Sequence, residues 1–216
     1  MDTQTFTIVL VVIFIIFVLF LEFEKRTIFK KLRYYLATND FDAYYKTINS
    51  MLTKYLYPKY NRLYMTLNGY LFQKNYSEAQ KLFEEMLSMH VNKKQRKDLV
   101  LKAFNYYIER KDKDHAKAML EEIDTWDADT QKEEAHRMYD IFILKKYSYI
   151  EEMEEQLKTA SDFNKGMLEY LLSAQYENKG DMEKSKEYLK ASQDQMIHAL
   201  KGETEHVENT SDTQTN

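Results

Sequence analysis

The sequence predicts an all-α fold, in which an N-terminal transmembrane helix is followed by an α-solenoid of about five helix hairpins. Three observations lead to this prediction. The 216 residues include only 4 Gly and 1 Pro, whereas sandwiches and barrels need such residues at their many hairpin turns. An uncharged apolar run lies near the N-terminus. Beyond it, apolar residues recur with helical spacing, in units of roughly 35 residues.

The apolar run extends from Phe6 to Leu21 and reads FTIVLVVIFIIFVLFL. Together with its flanks it has the length of roughly 17–25 residues that a spanning helix needs. We therefore predict a short N-terminal tail at 1–4 and a transmembrane helix over 5–23. A cleaved signal peptide would begin with cations and end at small residues. Here Met1-Asp2-Thr3-Gln4 precedes the run and Glu22-Phe23-Glu24-Lys25-Arg26 follows it, so we expect the helix to stay in the mature chain.

The flanking charges predict the orientation of this helix. No Lys or Arg precedes it, and a cluster follows it, formed by Lys25, Arg26, Lys30, Lys31 and Arg33. The positive-inside rule then predicts a single-pass protein of the cell membrane with its C-terminal part in the cytoplasm. The opposite orientation stays open as the alternative.

Four columns of similar residues define a repeat over residues 24–200. The first column has spacings of 35, 37, 34 and 35 and consists of Tyr35, Tyr70, Tyr107, Ile141 and Tyr176. The second follows nine residues later, at Tyr44, Ala79, Ala116, Ile150 and Ser185. The third contains Ile48, Phe83, Leu120, Glu154 and Leu189, and the fourth Met51, Met86, Ile123, Leu157 and Ser192. A short polar turn rich in Lys, Asn and Asp separates the first two columns, so each unit is predicted to be a helix hairpin that buries its apolar face against its neighbours.

The columns resemble those of the tetratricopeptide repeat (TPR) family, whose pattern is W-x2-L-G-x2-Y…A-x3-F…P. The best match extends from Tyr70 to Phe83 and includes the run Asn75-Tyr76-Ser77-Glu78-Ala79. The chain departs from the family where Gly is expected three residues before the Tyr. Bulkier residues occupy four of these five positions, and Ser the fifth: Leu32, Leu67, Phe104, Met138 and Ser173. The family's Trp and closing Pro are also missing from their columns, so we describe the prediction as TPR-like.

The resemblance implies a concave groove, lined by the first helix of each hairpin, that binds extended peptides or partner helices. Residues two, five and six positions before the first column would face that groove. The groove candidates are Lys30, Arg33, Tyr64, Asn68, Lys102, Asn105, His136 and Tyr139. Amides can pair with a peptide backbone and cations with a carboxylate, so an acidic segment or a free C-terminus is one predicted ligand. The alternative is that these are ordinary solvated helix residues.

Nothing in the sequence indicates an enzyme. There is no Cys, no Gly-rich phosphate loop and no His-Glu-x-x-His motif. We therefore predict no catalytic, cofactor-binding or metal site, no cofactor and no small-molecule substrate. The net charge is -4, and basic runs alternate with acidic ones, so no nucleic-acid partner is expected. A helical hydrolase or metal protein is the enzymatic alternative, and no constellation of a nucleophile and a base supports it.

The C-terminal segment 201–216 consists mostly of Glu, Thr, Asn, Ser, Asp and Gln and is predicted to be a disordered acidic tail. The function predicted from all these features is a membrane-tethered scaffold or adaptor that holds partner proteins, of unknown identity, in a TPR-like groove. The alternative is an outward-facing envelope chaperone or assembly factor with the same fold.

Overall fold

The computed structural model describes residues 3–127 and 129–211, and all regular secondary structure in these ranges is helical. The all-α prediction is therefore confirmed for the described residues. The helices are α1 (Thr3–Ala37), α2 (Phe41–Ile48), α3 (Met51–Leu56), α4 (Lys59–Phe72), α5 (Tyr76–Leu87), α6 (Lys93–Glu109), α7 (Lys113–Asp124), α8 (Asp129–Phe142), α9 (Ile150–Leu157), α10 (Asp162–Lys179) and α11 (Met182–Ser211).

Helix α1 contains the predicted span. Between Gln4 and Ala37 it is long and apolar enough to cross a membrane, and none of its most apolar stretch is buried in the protein. The large apolar side chains from Ile8 to Phe20 are all at least 41% exposed. A core helix would bury at least one face, so the prediction of an apolar N-terminal helix is confirmed.

The chain forms two compact units, Met1–Leu99 and Val100–Asn216, and the boundary lies within α6. The five predicted hairpins correspond to five pairs of consecutive helices, each with a first and a second helix: α1 and α2, α4 and α5, α6 and α7, α8 and α9, and α10 and α11. Helix α3 is an additional short helix. Helix α11 ends within the predicted tail 201–216, whose residues 212–216, like Met1 and Asp2, lie outside the described residues. The disorder of that tail stays a prediction.

One turn geometry recurs between the first and second helices. Four residues after each first-column residue, the backbone has a positive φ, at Asn39 (55°), Lys74 (57°), Lys111 (55°), Lys145 (58°) and Gly180 (88°). In four of these turns the next backbone N–H donates to the carbonyl of the first-column residue, for example from Asp112 to Tyr107 at 2.9 Å. This is the bond that closes a helix with a left-handed residue.

In four of the turns, the residue that follows the left-handed position directly precedes the second helix and caps it. A carboxylate or amide oxygen there accepts the backbone N–H three residues later, as in Asp40 with Ala43 at 3.0 Å and Asp181 with Lys184 at 3.1 Å. Asn75 and Asp112 make the same capping bond. The fixed turn explains the constant offset of nine residues between the first two columns.

The turn at Lys145 differs because Lys146 stands where the other turns have Asp or Asn. A Lys side chain cannot accept the capping bond. The helix-closing bond differs as well, because the Lys146 N–H donates to the carbonyl of Asp140, at 2.9 Å, and not to that of Ile141. Helix α9 begins only at Ile150, behind Tyr149, which makes no side-chain capping bond. Ile150 is therefore the first residue of its helix, whereas the other second-column residues are the fourth.

The second column forms part of the core: all five of its residues are buried. In the first column, Tyr107, Ile141 and Tyr176 are buried, and Tyr35 and Tyr70 are half-buried. Two positions of the other columns depart from this pattern, because Met51 and Leu189 are exposed. The columns therefore indicate the core well close to the turn and less well away from it.

In the first unit, Tyr44 of α2 packs closely against Gly69 of α4. The Tyr44 hydroxyl donates to the carbonyl of Met65 at 2.6 Å. A Cβ added to Gly69 would lie 2.6 Å from Cε1 of Tyr44, so only glycine allows this approach. Tyr44 is a large residue in a column of mostly small ones, and Gly69 supplies the space that it needs.

We expect Lys111→Gly to raise the free energy of unfolding by about 0.5–1 kcal/mol, because a left-handed residue with a Cβ is strained by roughly 1–2 kcal/mol and glycine is not. Gly180→Ala should lower the free energy of unfolding by about 1 kcal/mol, because Gly180 is left-handed and alanine is strained in that conformation. No atom lies within 4 Å of a Cβ built at Gly180, so that effect comes from the backbone alone. Urea unfolding of the full chain in detergent, followed by circular dichroism, measures both.

Lys117→Gly is the matched control, because Lys117 is an exposed residue inside α7. The same exchange there should lower stability by about 1 kcal/mol. If Lys111→Gly and Lys117→Gly changed the free energy of unfolding in the same direction, the left-handed turn at Lys111 would be contradicted.

Candidate functional site

A cleft of about 750 Å³ lies in the second unit, between the first helices of its three hairpins. Helices α6, α8 and α10 form the walls, and the end of α9 closes one side. The lining residues are Leu101, Phe104, Asn105, Gln131, Glu134, Ala135, Arg137, Met138, Gln156, Ala160, Asn164, Met167, Leu168 and Leu171. Successive first helices therefore share one concave surface within this unit.

The interior of the cleft is apolar. Phe104, Ala135 and Leu171 are buried at its base. Met138 is half-buried, and Met167 is 45% exposed. Methionine is flexible and polarisable, so a surface with two of them can adapt to different apolar side chains.

The rim of the cleft is rich in primary amides, which come from Asn105, Gln131, Gln156 and Asn164. Each amide can donate and accept hydrogen bonds at once, as a peptide backbone does. The charged lining residues are Glu134 and Arg137, so the charges of the lining balance.

Arg137 is partly engaged within the unit. Its Nη2 donates to Oε1 of Glu152 at 3.3 Å, and its guanidinium lies 5.7 Å from the centre of the Tyr149 ring. Its Nε is buried and has no hydrogen-bond partner among the described residues. A buried donor without a partner is costly, and here it belongs to a residue that lines the cleft.

A polar cluster joins the three helices α9, α10 and α11. Oε1 of Glu154 accepts the hydroxyl of Tyr176 at 2.6 Å and the hydroxyl of Tyr188 at 3.0 Å. The two tyrosine rings stack with their centres 5.5 Å apart, and Nζ of Lys184 donates to the Tyr176 hydroxyl at 3.2 Å. The cluster fixes α9, which carries Gln156, against α10, which carries the third wall of the cleft.

This cluster also lowers the pKa of Glu154. The Tyr176 hydroxyl is the largest cause, since it donates to the ionised carboxylate, and the Tyr188 hydroxyl acts in the same direction. Burial and the bond to the carboxylate raise the pKa of Tyr176. Glu154 interrupts an otherwise apolar column, and its two tyrosine partners explain how a carboxylate is accommodated there.

Buried Gln175 holds the irregular start of α9 against α10. Its Oε1 accepts the backbone N–H of Tyr149 at 2.9 Å, and its Nε2 contacts Sδ of Met153 at 3.1 Å. Asn178 donates to the carbonyls of Ile141 and Lys146. Gln175 thus accepts a backbone N–H just before α9, and Asn178 satisfies two carbonyls of the preceding turn.

The predicted groove residues are placed in different environments. In the second unit, Asn105 lines the cleft. His136 is exposed, with its Nε2 2.7 Å from Oδ1 of Asp124, and Tyr139 is buried. Lys102 is half-buried. In the first unit, Lys30 and Arg33 are exposed on α1, and Tyr64 and Asn68 are half-buried on α4.

Helix α8 presents only part of the face that the family pattern implies. Ala135, six positions before Ile141, lines the cleft as that pattern implies, and so do Met138, Arg137 and Glu134, which lie three, four and seven positions before it. Those two and five positions before it are Tyr139 and His136, which lie elsewhere. The sequence contained a clue to these lining residues. Phe104 and Met138 are bulky residues in place of the family's Gly, and both line the cleft.

Among the described residues, no group of three or more His, Cys, Asp or Glu side chains is arranged to hold a metal ion. Comparisons of the chain with models of protein families, with curated proteins and with solved structures find no match.

The lowered pKa of Glu154 predicts a dependence of stability on pH. The cluster stabilises the fold while Glu154 is ionised, at a pH above about 4.5, its usual pKa. This contribution is lost as the pH falls through the lowered pKa. We expect the free energy of unfolding of wild type to fall more steeply below pH 4.5 than that of Glu154→Gln.

Glu155→Gln serves as the control, since the adjacent Glu155 is exposed and pairs with Lys158 on its own helix. It should keep the pH dependence of wild type. Parallel curves for wild type and Glu154→Gln between neutral and acidic pH would show that the carboxylate contributes nothing through its tyrosines.

Proposed function

We propose that this chain is a single-pass membrane protein whose helix hairpins form a TPR-like solenoid that gathers partner proteins at the membrane. The observation that carries the proposal is the cleft of the second unit, with its apolar interior and its rim of amides. Such a surface suits a peptide or helix segment of a partner, because apolar side chains fill the interior while backbone groups pair with the amides.

The charge of the cleft favours an uncharged, apolar segment over an acidic one. Arg137 already pairs with Glu152, and Glu134 places a negative charge in the lining. Recognition of an acidic segment requires a cluster of free cations. The described lining residues do not form such a cluster. The preferred ligand is therefore a short apolar segment, long enough to extend across α6, α8 and α10.

The recurring hairpin turn supports the TPR-like architecture. Left-handed residues recur at spacings of 35, 37, 34 and 35, and four of the five turns share the same closing hydrogen bond. The second-column residue is buried after each turn. Units that repeat in this way bury their apolar faces by stacking on their neighbours.

The exposed apolar surface of α1 supports the membrane anchor, because none of its most apolar stretch is covered by protein. The cations from Lys25 to Arg33 favour a cytoplasmic location for the hairpins. An anchor keeps the cleft close to other membrane proteins and so raises its effective concentration for them. The outward-facing chaperone or assembly factor is the alternative, and it differs in orientation only.

We expect the double variant Val12→Arg, Ile16→Arg to leave the alkali-resistant membrane fraction, because each arginine near the centre of a span costs about 2.5–3.5 kcal/mol. Phe29→Arg with Tyr34→Arg is the control, since both residues are exposed on α1 beyond the predicted span. Membrane flotation after alkaline extraction measures the distribution, and retention of the first variant would contradict the anchor.

The absence of Cys allows the orientation to be measured with single introduced cysteines. In the cytoplasmic orientation, an impermeant maleimide added to intact cells should label Thr3→Cys and should not label Glu203→Cys. The reverse result would support the outward-facing alternative.

We expect Met167→Asp to reduce partner binding about tenfold or more, because a charge in the apolar interior costs at least the 1.4 kcal/mol that corresponds to tenfold in affinity. Met182→Asp is the matched control, since Met182 is 50% exposed at the start of α11 and is not a lining residue. A photocrosslinker at Gln131, used in native membranes, measures the yield of crosslinked partner. Equal yields for the two variants would remove the cleft as the binding site.

A further inference from the structure

The short helix α3 lies at the end of the first unit from which α1 emerges. Helix α1 leads up to the turn at Asn39, and α2 returns antiparallel to it. Ile28 and Leu32 of α1 share one core cluster with Tyr44 and Ile48 of α2. The chain then crosses below this pair as α3 before α4 begins at Lys59.

One hydrogen bond fixes the height of α3 along α1, and one shared core cluster agrees with it. The hydroxyl of Tyr57, directly after α3, donates to the carbonyl of Lys25 at 2.8 Å. Leu21, the last residue of the apolar run, packs against the cluster that includes Leu56. Lys25 is four residues beyond Leu21, or about 6 Å along a helix. Helix α3 is therefore level with the end of the apolar run.

One face of α3 is apolar and uncovered. Met51 is 85% exposed, Tyr55 is 74% exposed and Leu52 is 44% exposed. Positions i, i+1 and i+4 share one face of a helix. The opposite face is held in the unit by buried Thr53, whose hydroxyl donates to the carbonyl of Thr47 at 2.8 Å, and by buried Leu56.

We propose that this face of α3 lies in the interfacial region of the lipid bilayer, as a second membrane contact beside the anchor. The proposal rests on the proposed insertion of α1, which brings the end of the apolar run to the edge of the hydrocarbon. Apolar and tyrosine side chains are favoured at that depth. Exposed Lys54 and the α1 cations are close enough to attract anionic headgroups.

The position of α3 selects lipid over a protein partner. A face level with the end of the apolar run adjoins the bilayer that surrounds α1, so lipid reaches it without any further component. The contact also has a structural consequence. A single helix allows the unit to tilt freely, whereas a helix and an adjoining interfacial face together define how the first unit stands on the membrane.

The cysteine-free chain gives a direct test with three single-cysteine variants that carry an environment-sensitive NBD label. Tyr55→Cys reports on α3. Phe72→Cys is the matched control, because Phe72 is an exposed aromatic residue, 55% accessible, at the far end of α4 in the same unit. Phe14→Cys reports on the span. The full chain is reconstituted in vesicles of phosphatidylcholine and phosphatidylglycerol, with and without a nitroxide-labelled lipid.

We expect label 55 to emit at shorter wavelength and to be quenched several-fold more strongly by the nitroxide lipid than label 72. If the label at position 14 is quenched and the label at position 55 is not, the interfacial contact is overturned and the anchor stays intact. A lack of quenching at 14 overturns the anchor and this proposal with it. A shorter emission wavelength at 55 without nitroxide quenching would show that protein, such as a second copy, covers α3, and it also overturns the proposal.

Discussion

The architecture depends on one backbone constraint, a left-handed residue four positions after each first-column residue. This residue reverses the chain so tightly that the next N–H can return to the first-column carbonyl, as in the bond from Asp181 to Tyr176 at 2.9 Å. In four hairpins the second helix then starts at a fixed place, and its second-column residue must face the helix before it. The burial of the column in these four follows from the turn, whereas Ile150 is buried at the late start of α9.

This constraint explains how much of the fold the sequence predicts. A constant offset of nine residues is readable because the turn has a fixed length. The late start of α9 could not be predicted from the sequence. It depends on Lys146, which cannot cap a helix. It also depends on buried Gln175, which binds the backbone of Tyr149 from 26 residues away. The low Gly content also concealed the turns, since Asn and Lys take the left-handed conformation at four of them at an energetic cost.

The cleft shows where inference from a family pattern fails. The predicted register assumed helices spaced by a Gly three residues before the first column, where this chain has Phe104 and Met138. Those side chains face the cleft themselves, so Tyr139 turns into the core and only part of the predicted set remains at the surface. The hydrogen-bonding role of Glu154 was equally hard to predict, because its partners Tyr176 and Tyr188 are 22 and 34 residues away. Long-range polar pairing of this kind leaves no periodic signal in a sequence.

A second departure from the repeat, besides the late start of α9, occurs where the chain meets the proposed membrane. Helices α2 and α9 have 8 residues each, whereas α5 and α7 have 12 each. Helix α9 starts late and still includes the fourth-column residue Leu157, whereas α2 ends early. In the longer helices the fourth-column residues Met86 and Ile123 are buried. Since α2 ends at Ile48, Met51 falls on α3 instead and is exposed. In a unit surrounded by water, an apolar residue of the repeat would lose stabilisation by this displacement. Under the proposed lipid contact, Met51 stays in an apolar environment and keeps that stabilisation. A short α2 therefore costs less stability at this end of the chain than it would in a unit surrounded by water.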